Sequence, residues 1–196
     1  MGGAKKLDRP ATRADLEQLP PTWRGEIIDG VLHAFPRPRF AHARVEGRVH
    51  SDLDGPFDRG RGGPGGWWIL VEPGIEIARA AEFSPDVAGW RRERMPAPPG
   101  KGEPIRVVPD WVCEVLSPRT RGYDNIIKKR FYAEIGVAHL WYVDPEERSL
   151  RVLQLVEGKW LELGTYGSDE KVRAAPFDLL EIELAGWFEG LPAEEE

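Results

Sequence analysis

A mixed α/β (α+β) fold, one central sheet flanked by helices, is the class this sequence predicts. Three observations carry it. Short apolar runs such as Trp67–Val71 and Trp111–Leu116 stand between Gly- and Pro-rich stretches, as buried strands do. Two other segments place apolar residues at helical spacing: Val45, Val49 and Leu53, then Ile127, Phe131 and Ile135. Asp29-Gly30 separates two apolar runs, and that dipeptide accepts the positive φ angles of a tight hairpin turn. The resulting order is hairpin, helix, strands, helix and meander, which argues for helices packed on a sheet.

Taken in order, Thr12 can cap a short helix that ends before Pro20-Pro21. Glu26-Ile27-Ile28 and Val31 to Phe35 form the hairpin, closed by Pro36 and Pro38. A helix is expected from about Phe40 to Asp54. Residues 55–66, rich in Gly, Pro and Arg, read as an exposed loop. Trp67–Val71 reads as a buried strand that Ile75-Glu76-Ile77 continues. Ser84 to Trp90 gives another strand with Pro85 at its edge, and residues 91–104 a second loop. Trp111–Leu116 is an apolar strand that stops at Ser117-Pro118. Asp124 is expected to cap a helix to Ile135, ended by Gly136. His139–Val143, Leu150–Val156 and Trp160–Leu163 form the meander, and Leu179–Phe188 packs on the sheet. A single domain over 1–196 follows, with a core of about 20–188, a short N-terminal helix at 12–19 and an acidic tail at 189–196.

Composition narrows the function. The chain has 196 residues, 41% of them hydrophobic, which is enough for one packed core. Cys113 stands alone, so no intrachain disulfide forms, as suits a reducing compartment. The first ten residues lack the apolar stretch of a signal peptide, and no apolar run reaches membrane length. A cytoplasmic protein without membrane association is expected. The net charge of −6 argues against a nucleic-acid coat protein, yet leaves room for local basic clusters at 91–94, 119–121 and 128–130.

Chemistry concentrates on two strands and a helix. Side chains alternate along a strand, so Glu114 shares a face with Val112 and Leu116. A carboxylate there is costly to bury unless it is paired or holds a metal. Asp86, between Pro85 and Val87, is a second case. Two strand carboxylates can converge on one divalent cation with oxygen preference. Lys128, early in the following helix, can reach back toward Glu114 and offset charge on a phosphate. Read from the residues alone, Glu114 and Lys128 equally form a partly buried ion pair, with Asp86 an edge residue. Glu26 and His42 are further candidates for the site. Glu72 and Glu76 lie near a strand and are not counted. His33, His50 and His139 show no zinc spacing with a cysteine. Cys113 faces away from Glu114 as a small core residue. Gly60 to Gly66 lacks the ending of a phosphate-binding loop.

Several blocks carry a resemblance. They are Ser84-Pro85-Asp86-Val87, Pro109 to Thr120, Tyr123-Asp124 with Lys128, Tyr132-Ala133, Gly136-Val137 and Trp141 to Pro145. Glu26 to Gly30, followed by Pro36, Pro38 and His42, adds to them. Over roughly residues 20–185 the chain resembles the Uma-two family, endonucleases of the restriction-endonuclease-like PD-(D/E)XK superfamily. The resemblance implies a restriction-endonuclease-like core and a metal site of Asp86 and Glu114 holding Mg2+ or Mn2+. Two residues after Glu114 stands Leu116 rather than the superfamily's lysine, and Lys128 of the next helix matches the place from which this family supplies it. Lys129 ranks second.

The expectation is a metal-dependent endonuclease acting on nucleic acid, DNA in the first instance, with Asp86, Glu114 and Lys128 catalytic. Arg119, Arg121 and Lys129 are candidate phosphate contacts, which give affinity without sequence preference. A homodimer is expected by analogy with nucleases that cut with paired sites. The alternative is a non-catalytic interaction or dimerisation domain on the same fold. Convergence of the three residues in one cleft separates the two.

Overall fold

The computed structural model describes residues 3–5 and 7–192. Its frame is a six-stranded mixed sheet in the order β11-β10-β9-β8-β7-β4. The strands are β4 (Trp67–Val71), β7 (Val87–Arg91), β8 (Trp111–Val115), β9 (His139–Asp144), β10 (Ser149–Val156) and β11 (Lys159–Gly167). Only β8 and β9 run parallel; every other neighbouring pair is antiparallel. A parallel pair needs a crossover, and the helix after β8 supplies it. A second, antiparallel sheet contains β1 (Gly3–Lys5), β2 (Trp23–Ile28), β3 (Val31–Pro36), β5 (Ile75–Ile77) and β6 (Ala80–Phe83). A short pair, β12 (Lys171–Val172) and β13 (Ile182–Glu183), lies near the C-terminus. The helices are α1 (Arg13–Glu17), α2 (Phe40–Leu53), α3 (Lys129–Ile135) and α4 (Ala185–Phe188).

The predicted hairpin forms between β2 and β3, with Asp29 at φ 49° and Gly30 at φ 74° in the turn. The stripe of α2 is buried as its spacing requires: Val45, Val49 and Leu53 are all fully buried. They pack on one face of the large sheet with Trp111, Trp141, Phe177 and Trp187. On the other face, Phe131 and Tyr132 of α3 join Trp90, Val112 and Leu140. Each strand face of the sheet therefore supports its own core.

Four elements differ from the sequence expectation. The start of the expected exposed loop at 55–66 lies in a π-helical turn, Asp54–Asp58, that buries Phe57 in the core. Ile75–Ile77 does not continue β4: Glu72 takes a left-handed φ of 42°, Pro73 follows, and the strand pairs with β6 in the other sheet. Asp124 does not cap the second helix. That helix starts upstream, where Ser117 Oγ accepts the Thr120 N–H at 3.3 Å. Tyr123–Lys128 then forms a π-helical turn before α3. The wider turn buries Asp124, Lys128 and Tyr132 together, while Ile127 and Ile135 are only half buried. At the C-terminus, Ile182, Leu184, Trp187 and Phe188 pack on the sheet as expected, but Leu179 is exposed. Of the expected acidic tail, Leu191 packs against the core and residues 193–196 lie outside the described residues.

Phe177 sits at the centre of one core. Its ring lies 4.6–5.6 Å from those of Phe57, Trp67, Trp111 and Trp141. Phe177→Ala should lower stability by about 3–5 kcal/mol, through lost burial plus a cavity that four aromatic walls cannot close. Urea unfolding checks this as a lower midpoint with unchanged slope; a midpoint within error of wild type would show that the ring cluster is not a structural centre.

Candidate active site

The site is built where β7 and β8 meet. Val87 pairs with Cys113, so the register carried one residue further sets Asp86 opposite Glu114. Asp86 Oδ2 accepts the Val115 N–H at 2.7 Å, which pins the carboxylate to the neighbouring strand. Both Asp86 and Glu114 are 1% exposed. Burying either charge is costly without compensation, and the rest of the site supplies it.

Lys128 faces Glu114. Its Nζ lies 2.6 Å from Glu114 Oε1 and 3.2 Å from Glu26 Oε1, and donates to the Ser84 carbonyl at 3.3 Å. Tyr132 donates its hydroxyl to the same Glu114 oxygen, and Tyr123 donates to Glu26 Oε2 at 2.7 Å. Burial opposes the Lys128 charge, but Glu114 and Glu26 outweigh it and hold its pKa above the ordinary value. Burial pushes Glu114 well up; Lys128 pulls it down, and Asp86, Asp124 and Glu26 push it up again. One ammonium thus serves several carboxyls, and Asp124, also buried, is pushed up to about 7.

A second group surrounds Asp86 from the α2 side. Arg24 lies 3.0 Å from Asp86 Oδ1 and 2.9 Å from Glu72 Oε1 through the same nitrogen. His42 Nε2 is 3.1 Å from Asp86 Oδ2, and His42 Nδ1 is 3.8 Å from Glu46 Oε2. Burial opposes a charge on His42, but Asp86 outweighs it and raises the His42 pKa, so the two side chains form an ion pair. Both ring nitrogens of His42, and Oε1 of Glu46, are buried with no hydrogen-bond partner among the described residues. Burial would raise the Asp86 pKa, yet His42, Arg24 and Lys128 hold it well below the usual carboxylate range. Burial, with Asp86 and Glu72 adding repulsion, pushes Glu46 up to about 8. One ligand atom each from Glu46, Glu72 and Asp86 lies within 4.8 Å of the others.

The structure therefore brings together Asp86, Glu114, Lys128, Glu26 and His42. Sequence reasoning missed Arg24, Glu46, Tyr123, Asp124 and Tyr132, and left Glu72 uncounted. Two signals were present: Arg24 shares a strand face with Glu26, and Glu46 follows His42 by one helical turn.

Two cavities flank the cluster. One, of about 270 Å³, is lined by Arg24, Arg37, Arg39, His42, Leu116 and Arg119 among others. The second, of about 410 Å³, includes Arg24, Arg37, Glu26, Glu72 and Ser84. Arg119 belongs to the first cavity. Arg121 is instead clasped by Asp144 and Glu146, the latter at 2.9 Å, and Lys129 sits beside Arg151 and Glu162, lining neither. The 91–94 cluster is engaged as well: Arg92 stacks 3.8 Å over the Trp68 ring, and Arg94 pairs with Asp110 at 2.8 Å.

Residues 13–185 match a family model described as "Uma2: Putative restriction endonuclease". Among solved structures, a similar chain is described as a "putative nuclease belonging to DUF820 from Anabaena variabilis ATCC 29413". It is 22% identical with a TM-score of 0.67, over 91% of this chain and 98% of that one. At that identity the likeness shows a shared fold. No curated protein matches the chain.

The Glu46 shift has a pH consequence. Its folded pKa, about 8, lies above the unfolded value, so its stabilising effect is complete below about 4.5 and is lost as pH rises toward 8. Glu46→Gln mimics the protonated form. In chelator, it should match wild type at about pH 4 and below and be the more stable protein at pH 8, as read by urea unfolding. Equal stabilities at pH 8 would show that Glu46 carries no strained charge.

Proposed function

Because the chain belongs to the Uma2 family of restriction endonucleases, we propose that it is a metal-dependent endonuclease hydrolysing phosphodiester bonds in nucleic acid, DNA in the first instance. The observation that carries the reading is convergence: Asp86, Glu114 and Lys128, from two strands and a helix, meet beside an arginine-lined cavity.

The chemistry of the donors suits a hard divalent cation: Asp86 and Glu114 offer only carboxylate oxygens, and two further carboxylates, Glu46 and Glu72, each bring one within 4.8 Å of Asp86. Asp86 and Glu114 would hold Mg2+ or Mn2+, which when bound polarises the phosphate and lowers the pKa of water. The remaining steps belong to the chain. Lys128 fixes the Glu114 carboxylate and would offset phosphate charge growing at the metal that Glu114 holds. Arg24, Arg39 and Arg119 line the cavity in which flanking phosphates would rest. Pro38, Leu116 and Pro118 give that cavity apolar walls that limit water. The protein would act in the cytoplasm, consistent with its single, buried cysteine, and would pair as a homodimer to cut both strands. No helix among the described residues is long and apolar enough to cross a membrane.

A second reading has its own support. Glu114 and Lys128 are 1% and 2% exposed and are mutually paired, as a structural ion pair would be in an interaction domain. Cleavage of single-stranded, double-stranded and branched DNA, and of RNA, with Mg2+ or Mn2+ decides between them. Expected is metal-dependent cleavage that falls by about 10²-fold or more in Asp86→Asn and Glu114→Gln. No cleavage of any substrate by folded wild type, or equal cleavage by both variants, favours the interaction domain.

A further inference from the structure

Asp86 has a second set of carboxylate neighbours that the Asp86–Glu114 pair does not use. Glu46 reaches it from α2, and Glu72 from the turn after β4. Glu46 belongs to α2, which packs on one face of the sheet, whereas Glu114 shares the other face with Val112 and Leu116. Oxygen ligands around one Mg2+, Mn2+ or Ca2+ sit about 2.0–2.6 Å from the ion. Three donors within 4.8 Å of one another come near that requirement, and a small inward movement of their side chains would close on one ion.

Two independent observations point to a ligand there. Glu46 Oε1 and His42 Nδ1 are buried without hydrogen-bond partners, in side chains that are each more than nine-tenths buried. Such groups ordinarily find partners. Arg24 then places one guanidinium nitrogen between Glu72 and Asp86, 2.9 and 3.0 Å from their oxygens. A positive charge already stands between two of the three carboxylates. Arg24 also lines both flanking cavities, so the side chain has space on either side.

We infer that Glu46, Glu72 and Asp86 form a divalent-cation site, and that Arg24 holds its place as an internal counter-cation which the arriving ion displaces. The freed guanidinium enters the cavity shared with Arg39 and Arg119, where it adds to the phosphate-binding surface. The inference rests on the reading of Asp86 as a metal ligand, but not on cleavage. Loading of the ion and readiness for a phosphate are then one event.

Mn2+ titration of the full chain, followed by the electron-spin resonance of free Mn2+, tests this. Wild type is compared with Glu46→Gln, Glu72→Gln and Arg24→Gln, with circular dichroism in chelator to confirm the fold. Glu72 is partly exposed, so its variant keeps the test open should Glu46→Gln misfold. Expected is binding about tenfold or more weaker in each glutamate variant, and about three- to tenfold tighter in Arg24→Gln, where nothing must be displaced. Unchanged affinity in folded Glu72→Gln, or no Mn2+ binding by wild type at millimolar concentration, overturns the site. Unchanged or weaker binding in Arg24→Gln overturns the counter-cation role. Wild type that binds Mn2+ through these glutamates but cleaves nothing leaves the site standing and removes only the nuclease reading.

Discussion

One ammonium group organises the centre of this protein. Lys128, 2% exposed, bridges Glu114 of the large sheet and Glu26 of the smaller one. It thereby ties two sheets and a helix at a single point. A pair so deeply buried contributes little net stability, because desolvation offsets most of the attraction. Its value is positional. Removing either partner would leave a charge with no water to solvate it, so the elements that carry these residues are held in one arrangement.

That constraint shapes the local backbone. In a regular α-helix, Lys128 would lie about 100° from Ile127 and off the apolar stripe. The π-helical turn at Tyr123–Lys128 changes the phase of the helix. Asp124, Lys128 and Tyr132, four residues apart, lie together on the buried side of this turn and the helix after it, and turns of this type recur at functional sites. The Tyr132 hydroxyl caps the Glu114 oxygen that faces Lys128, and Tyr142 donates to the Asp124 carbonyl at 2.8 Å. Aromatic residues placed for packing thus also supply the hydrogen bonds that buried charges require.

Around Asp86 the balance tips the other way. Glu46, Glu72 and Asp86 are met by Arg24 and His42, and polar atoms are left over. The Lys128 side of the site is closed and satisfied, and the Arg24 side is open to cavities and under-satisfied. An enzyme needs both qualities, rigid support beneath and unmet polar capacity where a ligand enters. The arginines that line the cavity extend this asymmetry outward, while Arg92, Arg94 and Arg121 are committed to internal partners.

The sequence by itself determined the elements and most of the reactive set. The spacing of Val45, Val49 and Leu53 gave α2, Asp29-Gly30 gave the hairpin, and a lone carboxylate in the apolar strand Trp111–Val115 marked Glu114. These are local signals, in which a residue's neighbours along the chain state its environment. Only the tertiary structure decided what lies across space. Arg24 meets Asp86 over 62 residues, Glu26 meets Lys128 over 102, and Ile75–Ile77 joins the other sheet. The phase shift at Tyr123–Lys128 was invisible for the same reason: no periodicity announces it, because it follows from burying Lys128 against carboxylates on two separate sheets. Pairing among charges is a property of the assembled fold, since its strength depends on the water that packing excludes.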